Sequence, residues 1–312
     1  MLHRILWAAS THARTCLIAG LVAGLALPGL AAAMVPWLPH MVALLLVTTA
    51  LRIGFRDAIG AIGDLRWGLG VVVALQMAVP LTLLGLLYLA GLSQTPAALA
   101  IVLTSAAPAI TGSVNLALIM RMDAGRMMQI LVLGTAVFPL TVLPVLWAMP
   151  QLGAAQEVIS AALTLLAVII AATAAGFLIR ARAFPNPTAD QIKALDGLSV
   201  LAFAIIVVGL MAALTPALQA DPWAVLNWAL LAFAIGYGLQ LLALVALRRS
   251  PLQSLAGPIA IAAGNRNIAI FLIALPPDII APLMIFIGCW QLPMYLTPML
   301  MPRLYAWALR HD

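Results

Sequence analysis

The amino-acid sequence predicts an all-α polytopic membrane protein, and three observations carry that class. Of 312 residues, 65% are hydrophobic and only 8% are charged, where an ordinary soluble domain carries about 25%. The apolar residues run continuously for about 20 at a time, the length of a spanning helix, and do not alternate as barrel strands do. The basic residues occupy only every second connection between those runs. This pattern excludes a soluble enzyme, a disordered chain, a solenoid array and a disulfide scaffold. The net charge of +6 reads as orienting loop charge rather than as a nucleic-acid surface.

Taken in order, residues 1–16 read as a cytoplasmic interfacial segment carrying Arg4 and Arg14. The run that follows ends L-A-A-A-M at 30–34, which also resembles a signal-peptide cleavage site. It continues almost directly into the next apolar run, which favours a span. Hydropathy then places ten spans at 17–35, 37–55, 67–90, 96–120, 126–149, 155–179, 196–215, 222–247, 252–275 and 279–304. Residues 17–179 thus hold a first five-helix repeat and the sixth span. Residues 180–195, rich in Pro and charge, form a cytoplasmic linker. Residues 196–304 hold spans seven to ten, and 305–312 form a cytoplasmic tail. The connections leave no room for a soluble domain.

Charge tests the count. Arg4, Arg14, Arg52, Arg56, Arg66, Arg121, Arg126, Arg180, Arg182, Lys193, Arg248, Arg249, Arg303 and Arg310 all fall on one side, and Glu157, Asp221 and Asp278 on the other. Fourteen of fifteen basic residues obey the positive-inside rule, so both termini are expected in the cytoplasm.

The exception is Arg266, 17 residues after Arg249 and 12 before Asp278. At about 1.5 Å per helical residue it reaches neither surface. No Asp or Glu lies deep in any span. A lone deep arginine costs at least about 2.5–3.5 kcal/mol and needs carbonyls, amides, water or an anionic ligand. It reads either as a clamp on helix-end carbonyls or as an anion-binding group, and the two are compatible.

Arg266 sits in A-G-N-R-N-I, where Gly264, Asn265 and Asn267 interrupt an apolar helix. The fourth span carries a similar break, S-A-A-P-A-I-T-G-S-V-N at 105–115, with Pro108, Thr111, Gly112, Ser113 and Asn115 at membrane depth. Backbone freed there must be buried in protein or line a cavity. The two broken spans are the fourth of each half and run in opposite directions. The fifth spans echo each other too, as F-P-L-T-V-L-P (138–144) and L-P-M-Y-L-T-P (292–298). Paired broken helices in inverted halves point to a secondary transporter with its site where the breaks meet. The candidate site residues are Thr111, Ser113, Asn115, Asn265, Arg266, Asn267 and Gln291. The two unwound segments are expected to pack against each other.

Other membrane machines lack their parts. No GxxxxGK[ST] is present for a nucleotide. His3, His12, His40 and His311 lie near surfaces or termini. Cys16 and Cys289 form no framework or metal cluster and read as structural. Neither enzyme activity, metal nor cofactor is expected.

These motifs resemble the bile acid:sodium symporter family in its bacterial form. P-A-I-T-G-S-V-N-L-A-L-I-M-R-M-D (108–123) is similar to the family's fourth helix, A-G-N-R-N-I-A (263–269) to its ninth, Gln76 to a glutamine of the third, and Trp290-Gln291 to a pair in the tenth. The resemblance spans nearly the whole chain. It implies a bacterial inner-membrane protein with a panel domain (helices 1, 2, 6 and 7) and a core domain (3–5 and 8–10), helices 4 and 9 crossing at their unwound centres. The departures fall on the family's sodium sites. Gln76 and Ser113 keep the character of a residual cation site. Val114 replaces an asparagine, Met127 and Leu131 stand where hydroxyls belong, Ala262 replaces the shared acidic residue, and Arg266 replaces a neutral ligand. A hard cation needs oxygen ligands, so a fixed positive charge is expected in place of sodium, donating to Ser113, Asn115 or Gln76.

The function expected is secondary transport of a small organic anion by alternating access, sodium-independent, with the lipid bilayer as the other partner. Two alternatives stand beside it: a sodium-coupled symporter using rearranged ligands, and a transporter-derived membrane sensor or partner subunit that binds without carrying.

Overall fold

The computed structural model describes residues 2–60, 65–152 and 155–309. Arg310, His311 and Asp312, assigned above to the tail, lie outside these. The regular structure of the described residues is helical, apart from one isolated β-bridge. Among the described residues, seven helices are long and apolar enough to cross a membrane, so the chain is an all-α polytopic membrane protein.

The N-terminal segment is α1 (Leu2–Thr11) followed by α2 (Ala13–Ala26), bent by 91° from each other. α3 (Pro28–Ile53) is a continuous span with one tight turn at Val35–Trp37. α4 (Leu65–Leu89) contains a π-turn at Ala74–Ala78. α5 (Pro96–Ala106) and α6 (Ser113–Ile119) are two short helices separated by an unwound segment. α7 (Ala124–Ala148), α8 (Ala155–Ala183), α9 (Ala189–Leu210) and α10 (Pro222–Leu247) follow. α11 (Ala256–Gly264) and a tight 3-10 run at Ile268–Ile273 come next, with an unwound segment between them. α12 (Met284–Leu300) and α13 (Pro302–Ala308) close the chain.

Helix starts follow capping chemistry. Thr95, Asp123 and Asp221 each accept the backbone N–H three residues on, and Thr188 forms a reciprocal capping box with Gln191. Such oxygens satisfy N–H groups that no helical carbonyl reaches.

Two boundaries differ from the hydropathy reading. The first turn was expected near residue 36, between spans at 17–35 and 37–55. The chain instead breaks at Leu27, with Pro28 opening α3. Proline at a first helical position loses nothing, because its missing N–H would be unpaired anyway. Pro36 and Pro39 are absorbed in the same way at the 3-10 turn and the α-helical turn that follows. The expected linker 180–195 is also mostly helical: α8 runs to Ala183 and α9 begins at Ala189. Within residues 1–16, expected to be interfacial, α1 ends at Thr11 and α2 begins at Ala13.

α2 packs along α9 in parallel, and α1, turned from it, lies against the start of α9. Leu6 lies against Gly197, Gly20 against Ala204 and Gly24 against Met211, so close that a Cβ at Gly197 would stand 1.8 Å from the Leu6 carbonyl oxygen. α3 returns antiparallel, with Leu38 against Gly209 and Arg52 paired to Asp196 at 2.6 Å. α8 lies on α3 through Gly176, beside Val47 and Ala50. Arg52, Gly54, Arg180 and Asp196 therefore meet at one end of this group. Basic connections also carry three indole contacts: Lys193 over Trp7 at 3.7 Å, Arg126 over Trp67 at 4.8 Å and Arg248 over Trp307 at 4.6 Å. Aromatic and cationic side chains so paired suit the headgroup layer.

Candidate functional site

The two unwound segments meet. The Ile110 N–H donates to the Asn265 carbonyl at 3.0 Å, and the Asn267 N–H donates to the Pro108 carbonyl at 2.8 Å. These bonds make a short antiparallel bridge between Ala109 and Arg266. Pro108 breaks the first helix because it lacks a donor and its ring disfavours helix before it; Ala107 is extended, with ψ of 151°. The bridge satisfies backbone groups whose exposure to lipid would cost several kcal/mol each.

Arg266 lies at the bridge, 1% exposed. Its Nε donates to the Ala263 carbonyl at 2.9 Å, Nη1 to Ala107 at 2.9 Å and Nη2 to Leu75 at 3.1 Å. Each carbonyl is free for a reason in the sequence. Ala263 would normally accept from Asn267, whose N–H goes to Pro108 instead. Ala107 lies beyond the end of α5. Leu75 sits in the π-turn: the Val79 N–H bonds Ala74, and the next residue, Pro80, has no N–H. Three breaks in three helices converge on one guanidinium. Arg266 was expected to donate to Ser113, Asn115 or Gln76, and the structure corrects this: its hydrogen bonds go to main-chain oxygens.

Gln76 turns instead to α7. Its Nε2 donates to the Gly134 carbonyl at 3.1 Å and its Oε1 accepts from Thr141 at 2.8 Å. Asn265 donates from Nδ2 to the Ile261 carbonyl at 2.9 Å and accepts from Thr297 at 3.2 Å. Behind it, the Gln240 amide donates toward Thr297 at 3.4 Å, and Tyr305 donates to Gln240 Oε1 at 2.9 Å. Trp290 donates from Nε1 to the Arg266 carbonyl at 2.8 Å. Thr141, Gln240, Thr297 and Tyr305 were missed from sequence. The signal available was a Thr or Gln within an apolar run, which by itself says nothing of its partner.

Thr111 faces outward from the bridge and accepts from Thr49 of α3 at 3.2 Å. Asn115 is half-buried and Asn267 buried. Ser113 is fully buried, and its Oγ has no partner. Gln291 donates from Nε2 to Ile287 at 3.1 Å, while its Oε1 has none. Gln291 lies on one α12 face with Gly288, which packs on Leu210 and Leu214, and with Tyr295, whose ring meets Phe203 of α9 at 6.2 Å. The Tyr295 hydroxyl is also buried without a partner. The structure thus joins Asn265, Arg266 and Asn267 to the 107–110 segment, and sets Gln291 apart on the face toward α9. A buried polar atom without a partner is rare, and four occur on the segments around the crossover: those of Thr104, Ser113, Gln291 and Tyr295. No family model matches the chain, and no curated protein matches it.

Proposed function

We propose that the chain is a secondary transporter of a small organic anion, working by alternating access and without sodium. The observation that carries this reading is the bridge of two interrupted apolar helices around a buried guanidinium that has no carboxylate. Broken helices at membrane depth are how transporters build a site between repeats. Counting the bent N-terminal pair and the two interrupted segments with the seven long helices brings the number of spans to the ten of the inverted-repeat reading. Each half then has a buried glutamine, Gln76 or Gln240, on its third span, bonded to a threonine of its fifth, Thr141 or Thr297.

In this reading α1–α3, α8 and α9 form the panel and the rest the core, and kinship with the bile acid:sodium symporters is part of the proposal. The anion binds between them, near Thr111, Asn115, Gln291 and Tyr295; the buried Gln291 Oε1 and Tyr295 hydroxyl lack partners. Arg266 supplies the positive charge behind that site. It also occupies the carbonyl oxygens that a bound metal cation would need, and a second cation within about 4–6 Å would be strongly repelled. The test is uptake of a panel of small organic anions by proteoliposomes, with and without a sodium gradient. Accumulation of one anion that sodium does not alter supports the reading. Binding without uptake favours a sensor, and uptake that requires sodium favours a symporter.

A further inference from the structure

A second buried guanidinium lies away from the crossover. Arg180 is near the end of α8 and only 8% exposed, yet its Nη1 has no hydrogen-bond partner. It lies against Gly54, which follows α3 with φ of 78°; a Cβ there would stand 3.3 Å from Arg180 Nε. The carboxylate at this junction, Asp196, is held by Arg52 at 2.6 Å. One helical turn before Asp196, Lys193 covers the Trp7 ring, and Leu6 of α1 packs on Gly197. Four elements therefore converge at one end of the panel: α1, the end of α3, the end of α8 and the start of α9. They bring Arg52, Arg180 and Lys193 to this one end, where Arg52 holds Asp196.

We propose that this junction binds the phosphate of an anionic phospholipid, with Arg180 as the group that pairs with it. The protein supplies no acceptor to Nη1, and a phosphate pairs with the other N–H groups of the same guanidinium. Its planar fork of N–H groups fits phosphate oxygens. Its position, near the end of the apolar helix Gln156–Ala183, is at headgroup depth. Basic clusters there attract anionic lipid. The Nη1 edge is covered, so the lipid pairs through the part of the guanidinium that stays open. Phe55, 59% exposed, stands edge-on to Phe177 at 5.7 Å, one turn before Arg180, and offers an apolar shelf for an acyl chain.

The test is native mass spectrometry and thermal unfolding of the full chain in detergent, with phosphatidylglycerol or phosphatidylcholine added. Phosphatidylglycerol is expected to bind and raise Tm, and phosphatidylcholine is not. Arg180→Gln is expected to weaken phosphatidylglycerol binding by at least about tenfold, while Arg303→Gln, an exposed arginine on α13, leaves it unchanged. Should Arg180→Gln fail to fold, Arg180→Lys carries the test: it keeps the charge, loses the fork and is expected to weaken binding about threefold or more. Equal binding of both lipids, or a position-180 variant that binds as wild type does, overturns the proposal. An equal Tm shift from inorganic phosphate at matched ionic strength overturns the lipid assignment in favour of a soluble phosphate.

Discussion

Arg266 donates from Nη2 to the Leu75 carbonyl at 3.1 Å, and that carbonyl is open because the Val79 N–H bonds Ala74 and Pro80 has none to offer. A proline and a π-turn in one helix thus prepare an acceptor for an arginine 191 positions later. The other two acceptors arise from the breaks at Pro108 and Asn265. The guanidinium and the irregular backbone are mutually dependent, since each would be costly in lipid alone.

Removing the cation is therefore expected to be severe. Arg266→Ala leaves the Leu75, Ala107 and Ala263 carbonyls buried without donors, at about 1–3 kcal/mol each. A loss of at least about 3 kcal/mol, seen as a large drop in Tm or as failure to purify folded, is expected. Arg266→Lys restores the charge but not the three-way geometry and is expected to recover part of that loss. An alanine variant within about 1 kcal/mol of wild type contradicts the clamp.

The Leu75 contact has its own test. Pro80→Ala supplies a backbone N–H that competes for the π-turn carbonyls. In a double-mutant cycle, Arg266→Ala is expected to cost about 0.5–1.5 kcal/mol less in the Pro80→Ala background than in wild type. Strict additivity means that Pro80 plays no part in freeing the acceptor.

Glycine packing beside the crossover separates two neighbouring positions. A Cβ at Gly264 would lie 2.1 Å from the Gly236 carbonyl oxygen and 2.4 Å from Gln240 Cγ, whereas at Gly236 the nearest atom is 3.4 Å away. Gly264→Ala is expected to cost a few kcal/mol by forcing α10 from α11, and Gly236→Ala under about 1 kcal/mol. Unfolding midpoints of the two variants, compared in one detergent, check this order.

Much of the crossover was legible in the sequence, because Pro108, Gly112, Asn265 and Asn267 in apolar runs permit few structures other than broken helices held by protein. That the two breaks meet followed from the need to satisfy their backbone. The partners of Arg266 were not legible: all three are carbonyls, and any residue type supplies a carbonyl. What frees them is local geometry, and the π-turn around Gln76 leaves no mark in residue identity. The same limit applies to Gln76, whose amide suits a cation ligand and the interhelical bonds it makes to Gly134 and Thr141 equally well. The N-terminal turn was misplaced because Pro28, Pro36 and Pro39 look alike in sequence, and packing of Met34 and Leu38 on Gly209 decides which one ends a helix.

Gln291 and Tyr295 distinguish a binding role from a structural one. Their buried, unpartnered oxygens contribute nothing to the ligand-free fold. Gln291→Leu and Tyr295→Phe are expected to leave Tm unchanged or raise it, by the equivalent of up to about 1 kcal/mol, while weakening binding of the proposed anion by about tenfold or more. Loss of stability with unchanged affinity would place the anion elsewhere.

The reading in which Arg266 stands in place of a bound cation is tested most directly by thermal unfolding of the purified chain as sodium is exchanged for choline at constant ionic strength. A ligand that binds only the folded state raises stability with its concentration. The expected result is a Tm that does not change across the exchange, because the guanidinium already fills the carbonyl cage. A Tm that climbs steadily with sodium concentration would contradict it.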